Sequence, residues 1–410
     1  MHPDAATLWK GPQWTLALLL AVLAMLGPFC IDTYIPAFAG ISQALGATPV
    51  QMQQTLSAYL FGFAFMSLFH GALSDSFGRR PVILWGLAAF ALASAGCALA
   101  GSVEQLIFFR FVQGCSAGAG IVVSRAVVRD MFAPAQAQRV MSQITIYFGV
   151  APAIAPIIGG WFLVLLGWQS VFWFLACVGG ALWLANWRLL PETLHPTFRQ
   201  PFRVSNLLRG YWQLGSSARF LLLVLVSGVP FNGMFIWVMA APELLGNRLG
   251  LAPTQFFWMF LLIISGIMSG ALLSGRMAGK ASPVEQIRFG FTVMTAMAAL
   301  TVAGMLLFEP RAWWLLPAIG LFAFGWAVVA PAVTLLVLDL YPDRRGMASS
   351  LQACVSSTAN GLTAGLLTPL VMHSPLALSW SAAALMGVGL VSWALLRSRW
   401  PLIGSSLQHG

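Results

Sequence analysis

Twelve apolar stretches, each near 20 residues, recur along this chain of 410 residues, at roughly 14–36, 53–74, 81–100, 104–127, 140–166, 169–188, 218–241, 254–274, 287–308, 312–338, 349–371 and 376–396. A helix of that length crosses a hydrocarbon core of ~30 Å. Lipid offers the backbone no hydrogen-bond partners, so each stretch is expected to satisfy its own N–H and C=O groups as a helix. Charged residues make up only 8% of the chain and hydrophobic ones 59%, where a soluble domain carries about 25% charge. The expected fold class is therefore an all-α polytopic membrane protein.

An even number of spans returns both termini to one side. Of the 21 Lys and Arg, all but Arg110, Arg248 and Arg311 fall on that side. Basic residues are retained in the cytoplasm, so the termini are expected to be cytoplasmic. The net charge of +10 is then topological, facing anionic lipid, and calls for no nucleic-acid partner. The first span is long and no small-residue cleavage site follows it, so it is expected to remain as a signal anchor. The expected location is the cell inner membrane. Five cysteines, Cys30, Cys97, Cys115, Cys177 and Cys354, all lie in apolar stretches without metal-ligand spacing. They read as small packing residues, with no metal site.

The longest polar interval, about 189–217, divides the chain into a half at 1–188, a cytoplasmic linker, and a half at 218–410. A weak internal repeat matches this division. Asp130-Met131-Phe132 with Pro134, Arg139 and Met141 parallels Asp339-Leu340-Tyr341 with Pro342, Arg345 and Met347. GALSDSFGRR, from Gly71 to Arg80, parallels GALLSGRMAGK, from Gly270 to Lys280, although the second copy lacks the acid. Two parallel six-helix halves with a substrate site between them near the midplane is a transporter plan.

With charge so scarce, the few polar residues inside spans are the candidates for chemistry. Asp32 is the one acid clearly within a span, and intramembrane acids mark proton or substrate paths. Arg110 lies in the fourth span with Gln113 one turn on, and a guanidinium there needs a partner or water. Both are candidates for proton coupling. Tyr34, Tyr59, Gln113, Tyr147, Asn232 and Phe235 join Asp32 as candidate substrate contacts, packing being the alternative role for each. Gly71, Asp75, Gly78, Arg79, Arg129 and Asp130 cluster at helix ends as a candidate cytoplasmic gate, with topology as the plain alternative. Pro152, Pro156, Gly159 and Gly160 leave the fifth span bent and small-sided, which suits tight packing or a hinge. No H-E-x-x-H, P-loop, dinucleotide fingerprint or G-x-S-x-G occurs. The chain is therefore expected not to be an enzyme, to use no cofactor, and to draw on an ion gradient for any work.

GALSDSFGRRPV resembles the loop between the second and third helices of the major facilitator superfamily. Arg110, Gln113 and Gly114 are similar to its fourth-helix motif, and GVAPAIAPIIGG (149–160) to its antiporter motif. Asp32-Thr33-Tyr34-Ile35-Pro36, Arg125 to Asp130, Ala153 to Pro156, and SGVPFNGMFIWVMAAP (227–242) resemble the Bcr/CflA drug-resistance subfamily. The resemblance implies twelve transmembrane helices in two pseudo-symmetric halves. It also implies proton-driven export of drugs or related small amphipathic molecules, multidrug efflux of the antibiotic-resistance kind. Asp32 would then serve proton and substrate, Arg110 coupling, and Asp75, Arg79 and Asp130 an inner-face latch. Some related antiporters carry a second acid two turns earlier; here Ala24 and Met25 stand there, which weighs against dications and several protons per cycle. Transport of a native metabolite such as a nucleoside, peptide or siderophore is the alternative, and a membrane-embedded enzyme or sensor a remote one. The expected partners are a small-molecule substrate, protons and the bilayer, and one chain suffices for a complete path.

Overall fold

A computed structural model describes residues 9, 11–132, 140, 154–199, 201–277, 280–341 and 344–400. The chain divides into two compact units, Met1–Val204 and Ser205–Gly410. The described residues are almost entirely helical.

Unit 1 contains α1 (Gln13–Tyr34), α2 (Phe38–Leu45), α3 (Pro49–Phe77), α4 (Arg79–Ala98), α5 (Val103–Met131), α6 (Ile154–Leu166) and α7 (Gln169–Leu189). Helix starts follow from local chemistry. Thr48 and Gln51 form a capping box with Pro49 in the first turn of α3, and the Ser102 hydroxyl accepts from Gln105 N at the start of α5. Such caps fill donors that a helix N-terminus leaves open. The first apolar stretch does not end near Pro36 as its sequence suggests. A single 3-10 turn at Ile35–Ala37 joins α1 to α2, giving one apolar run over Trp14–Leu45. Pro36 falls in the first turn of that element, where its missing N–H costs nothing. Asp32 thus lies in the interior of the run.

Within this unit α5 packs against α1, α3 and α4, and α4 packs against α7. Backbones meet where glycine removes the side chain. A Cβ at Gly114 on α5 would strike the carbonyl of Tyr59 on α3, and one at Gly159 on α6 would strike the carbonyl of Thr33 on α1. Small residues permit this approach and bury the backbone against its neighbour.

Unit 2 contains α8 (Val204–Gly215), which begins at the boundary, then α9 (Ala218–Met239), α10 (Phe257–Met277), α11 (Pro283–Leu307), α12 (Ala312–Leu340), α13 (Arg345–Leu362), α14 (Thr368–Val371) and α15 (Pro375–Arg399). Hydroxyl caps recur at Ser217, Ser282 and Ser374. The α8 helix lies against the start of α13, where Arg344 Nη1 donates to Gln213 Oε1 at 2.7 Å.

Ten helices among the described residues are long and apolar enough to cross a membrane, and α6 is a shorter apolar one. The two other expected spans differ for distinct reasons. Of the stretch at 140–166, residues 141–153 lie outside the described residues, and the rest includes α6. The stretch at 349–371 is helical, but α13 is rich in Ser, Thr and Asn and passes through a π turn at Thr363–Leu367 before α14. Its polar content lowers its hydropathy below that of a continuous apolar span.

Candidate functional site

Arg110 is the organising residue of unit 1. It is fully buried on α5, and its guanidinium lies 4.5 Å from the ring centre of Tyr34 and 4.4 Å from that of Tyr59. The negative faces of two aromatic rings from α1 and α3 thus offset part of the desolvation of a buried cation. Nη1 donates to Gln113 Oε1 at 2.6 Å and to Cys30 Sγ at 3.0 Å. Gln113 passes the network on, donating from Nε2 to Ser94 Oγ at 2.7 Å. Each tyrosine is held by its hydroxyl, Tyr34 against Thr55 Oγ1 at 2.6 Å and Tyr59 on the carbonyl of Gly27 at 2.8 Å. Rings fixed at both ends define where the guanidinium can sit.

Arg110 Nε and Nη2 remain buried without hydrogen-bond partners among the described residues. On α1, Asp32 is 9% exposed and has no hydrogen bond or ion pair to another described residue. Its charge acts on both Cys30 and Tyr59, which flank Arg110. The unit therefore holds one buried acid and one buried base in electrostatic reach of the same neighbours, without a salt bridge between them. Leaving two such groups unpaired is expensive, and in a membrane it marks an ion or substrate path. Gly159 brings α6 onto α1 beside Asp32, and Pro156 is buried on the same helix, as is Gly160. Tyr147 and Pro152 lie outside the described residues.

A second cluster forms where α3, α4 and α5 end. Arg79 is 7% exposed. Its Nε donates to Asp130 Oδ2 at 2.9 Å, and Nη1 donates to Asp75 and, at 2.7 Å, to Ser74 Oγ. One guanidinium therefore ties three helices, with Thr193 also donating to Asp130 at 3.2 Å. Glu192 accepts from the backbone N–H of Arg79 at 3.0 Å and of Arg80 at 3.2 Å, so a carboxylate from beyond α7 caps α4. A carboxylate at a helix N-terminus is favoured by both the open donors and the dipole. Gly78 has φ 104°, and a Cβ there would strike the Glu192 carboxylate. Gly71 is different, since a Cβ there meets only Val122, at 3.9 Å. The backbone of Arg129 is helical, but its side chain lies outside what the structure describes.

In unit 2, Asn232 is fully buried on α9 and donates to the carbonyl of Gly228 at 3.1 Å, leaving its own Oδ1 without a partner among the described residues. Phe235 stacks on Phe231, which packs on Trp326, whose Nε1 donates to the carbonyl of Ser227 at 2.8 Å. No group of three or more His, Cys, Asp or Glu among the described residues is arranged to hold a metal ion.

Sequence reasoning singled out Arg110, Gln113, Tyr34 and Tyr59, and the fold brings these four together. It took Cys30 for packing alone and overlooked Ser94, Thr55 and Ser74. Glu192 and Thr193 stood in the polar interval after the sixth stretch, but nothing local tied them to α4 or Asp130.

A family model described as Major Facilitator Superfamily matches residues 18–364. Among curated proteins, the chain is 28% identical over 382 residues to a bicyclomycin resistance protein homolog of Haemophilus influenzae, covering 93% of this chain and 96% of that one. It is 30% identical over 361 residues to multidrug resistance protein D of Escherichia coli, covering 86% and 88%. Among solved structures, a D-xylose-proton symporter shares the fold, with a TM-score of 0.69 at 14% identity over 92% of this chain and 97% of that one.

Proposed function

Because the chain belongs to the Major Facilitator Superfamily, we propose that it exports drugs or related small amphipathic molecules in exchange for protons. The reading draws on relatives named for bicyclomycin and multidrug resistance. The observation that carries it is the buried pair of Asp32 and Arg110: among the described residues Arg110 Nε and Nη2 have no hydrogen-bond partner, and Asp32 forms no ion pair with Arg110. In this reading the protein crosses the inner membrane twelve times, keeps both termini in the cytoplasm, and works as a single chain without a cofactor.

Deprotonated Asp32 accepts a cationic or hydrogen-bonding group of the substrate from the cytoplasmic side. When the site faces outward, a proton neutralises Asp32 and substrate leaves. The protonated form returns and releases its proton inside. Substrate and proton thus compete for one carboxylate, which supplies the differential affinity that any shift between states requires. Arg110, held between its two tyrosines, presents Nε and Nη2 to whichever negative charge enters and reports the state of Asp32 to α5. Asn232 and Phe235 are further candidate contacts for the substrate. The Arg79 cluster latches the cytoplasmic ends of α3, α4 and α5, and Gly159 with Pro156 lets α6 move against α1.

The test is proton release from purified protein in weakly buffered detergent on adding candidate drugs, wild type against Asp32→Asn. Release from wild type and none from the variant is the expected result. Equal release from both moves the proton site away from Asp32. No release from folded wild type with any drug directs the search to cell metabolites instead.

A further inference from the structure

Both units carry a lateral groove of the same design. In unit 1 it lies where the start of α4, the end of α7 and the start of α1 meet, with a volume of about 700 Å³, and is lined by Arg80, Arg188, Trp187, Trp9, Thr15 and Glu192 among others. In unit 2 it runs between α11 and α15, with a volume of about 690 Å³, and is lined by Arg288, Arg397, Trp393, Phe291 and Thr292 among others. The helices correspond. Each groove joins the third long helix of its unit to the last. Each places one arginine in the first two turns of the third helix and one in the last turn of the final helix, with a tryptophan within a turn of the latter. The two grooves share no residues, so their agreement is two observations of one arrangement.

The chemistry selects the occupant. The helices that form each groove are long and apolar enough to cross a membrane, so the groove walls below the arginines face acyl chains. Tryptophan belongs at the depth of lipid headgroups, and arginine stems lie along apolar surface with the charge raised to the interface. The carboxylates nearby are already engaged. Glu192 accepts three backbone N–H groups, from Arg79, Arg80 and Leu194, and Glu285 at the start of α11 accepts from the backbone and hydroxyl of Ser282. Arg80 is anchored by Nη2 on the carbonyl of Trp187, while its Nε is buried with no hydrogen-bond partner among the described residues. Two arginines and a tryptophan lining one groove at the ends of apolar helices match the phosphodiester and acyl chains of a phospholipid.

We propose that each groove binds the phosphate of one anionic phospholipid, so that the chain carries two annular lipid sites, one per unit, each at helix ends that carry arginine. Basic pockets between helices at the cytoplasmic surface attract anionic headgroups by about one factor of five per arginine. The sites stand apart from Asp32 and Arg110 and do not depend on which substrate is carried.

Native mass spectrometry of the full chain in neutral detergent tests this, with dioleoyl phosphatidylglycerol and dioleoyl phosphatidylcholine added at equal concentration. Two phosphatidylglycerols retained per chain, in preference to phosphatidylcholine, is the expected result. Arg188→Gln and Arg397→Gln should each weaken one of the two by about fivefold, while Arg188→Lys and Arg397→Lys keep both. If a glutamine variant is not monodisperse, Arg288→Gln reads the second groove. Equal retention of the two lipids, or unchanged retention in the Arg188→Gln/Arg397→Gln double variant, overturns the proposal. Loss of phosphatidylglycerol on adding millimolar inorganic phosphate also overturns it, by assigning the grooves to free phosphate.

Discussion

Where α3 meets α4 in unit 1, a buried arginine spans two acids and a carboxylate from beyond α7 caps the next helix. Where α10 meets α11 in unit 2, the repeat has kept glycine and basic residues but lost the acid. There Ser274 donates to Gln286 at 3.2 Å, and Arg276 is exposed. Two ends that arose from one pattern now differ in kind. One is a charged clamp that must be either fully assembled or released, and the other a neutral contact between two helices. Removing one partner of a partly buried ion pair strands a charge, which breaking a hydroxyl–amide bond does not. This asymmetry is what the proposed latch requires, a charged cluster at the ends of α3, α4 and α5 with no counterpart at the α10–α11 turn.

The largest expected effect separates the two ends directly. Arg79→Ala leaves Asp130 without its charge partner, while Asp75, nearly half exposed, stays solvated; it should destabilise the protein by about 2 kcal/mol, read as a drop in thermal unfolding temperature in detergent, with transport lost in vesicles. Arg276→Ala at the equivalent turn should stay within about 0.5 kcal/mol. Comparable losses at the two sites would break the comparison. The glycines give the next contrast. Gly78→Ala meets both a positive φ and the Glu192 carboxylate, for an expected cost of about 2 kcal/mol. Gly275→Ala meets nothing within 4 Å and should be neutral or stabilising by up to about 0.5 kcal/mol, since it lies in the last turn of α10. Expression and unfolding midpoints of the pair measure this. The smallest effects concern polar contacts. Glu192→Ala uncaps α4 and should cost about 1 kcal/mol, with faster amide exchange confined to the first turn of that helix. Ser274→Ala removes one neutral hydrogen bond and should cost about 0.5 kcal/mol. Exchange that spreads through all of unit 1 in Glu192→Ala would give this carboxylate a wider part in the clamp.

Much of the fold was legible because lipid permits so few solutions. Apolar runs near Trp14, Pro49, Ala218 and Ala312 had to become helices, and they did. The hydroxyl and proline starts at Thr48-Pro49 and Ser282-Pro283 are equally local. The end of the first run was not legible, since Pro36 reads as a stop but fits at the start of a 3-10 turn. Polar residues in α13 likewise leave the stretch at 349–371 helical but less apolar than the ten long helices.

The site divides the same way. Scarcity of charge made Asp32, Arg110 and Arg79 conspicuous, and the positions of Asp75 and Asp130 at helix ends followed from chain order. By itself, then, the amino-acid sequence determined most of the helices, the family and the few charged residues that a membrane could not ignore. Tertiary structure alone decided what those residues touch. Gln113 reaches Ser94 across 19 positions and Glu192 reaches Arg79 across 113, and such pairs depend on how each helix is rotated and how closely its glycines let a neighbour approach. Apolar stretches this uniform carry almost no preference for one face over another, so rotation is set by packing and by where a buried charge can find its partners.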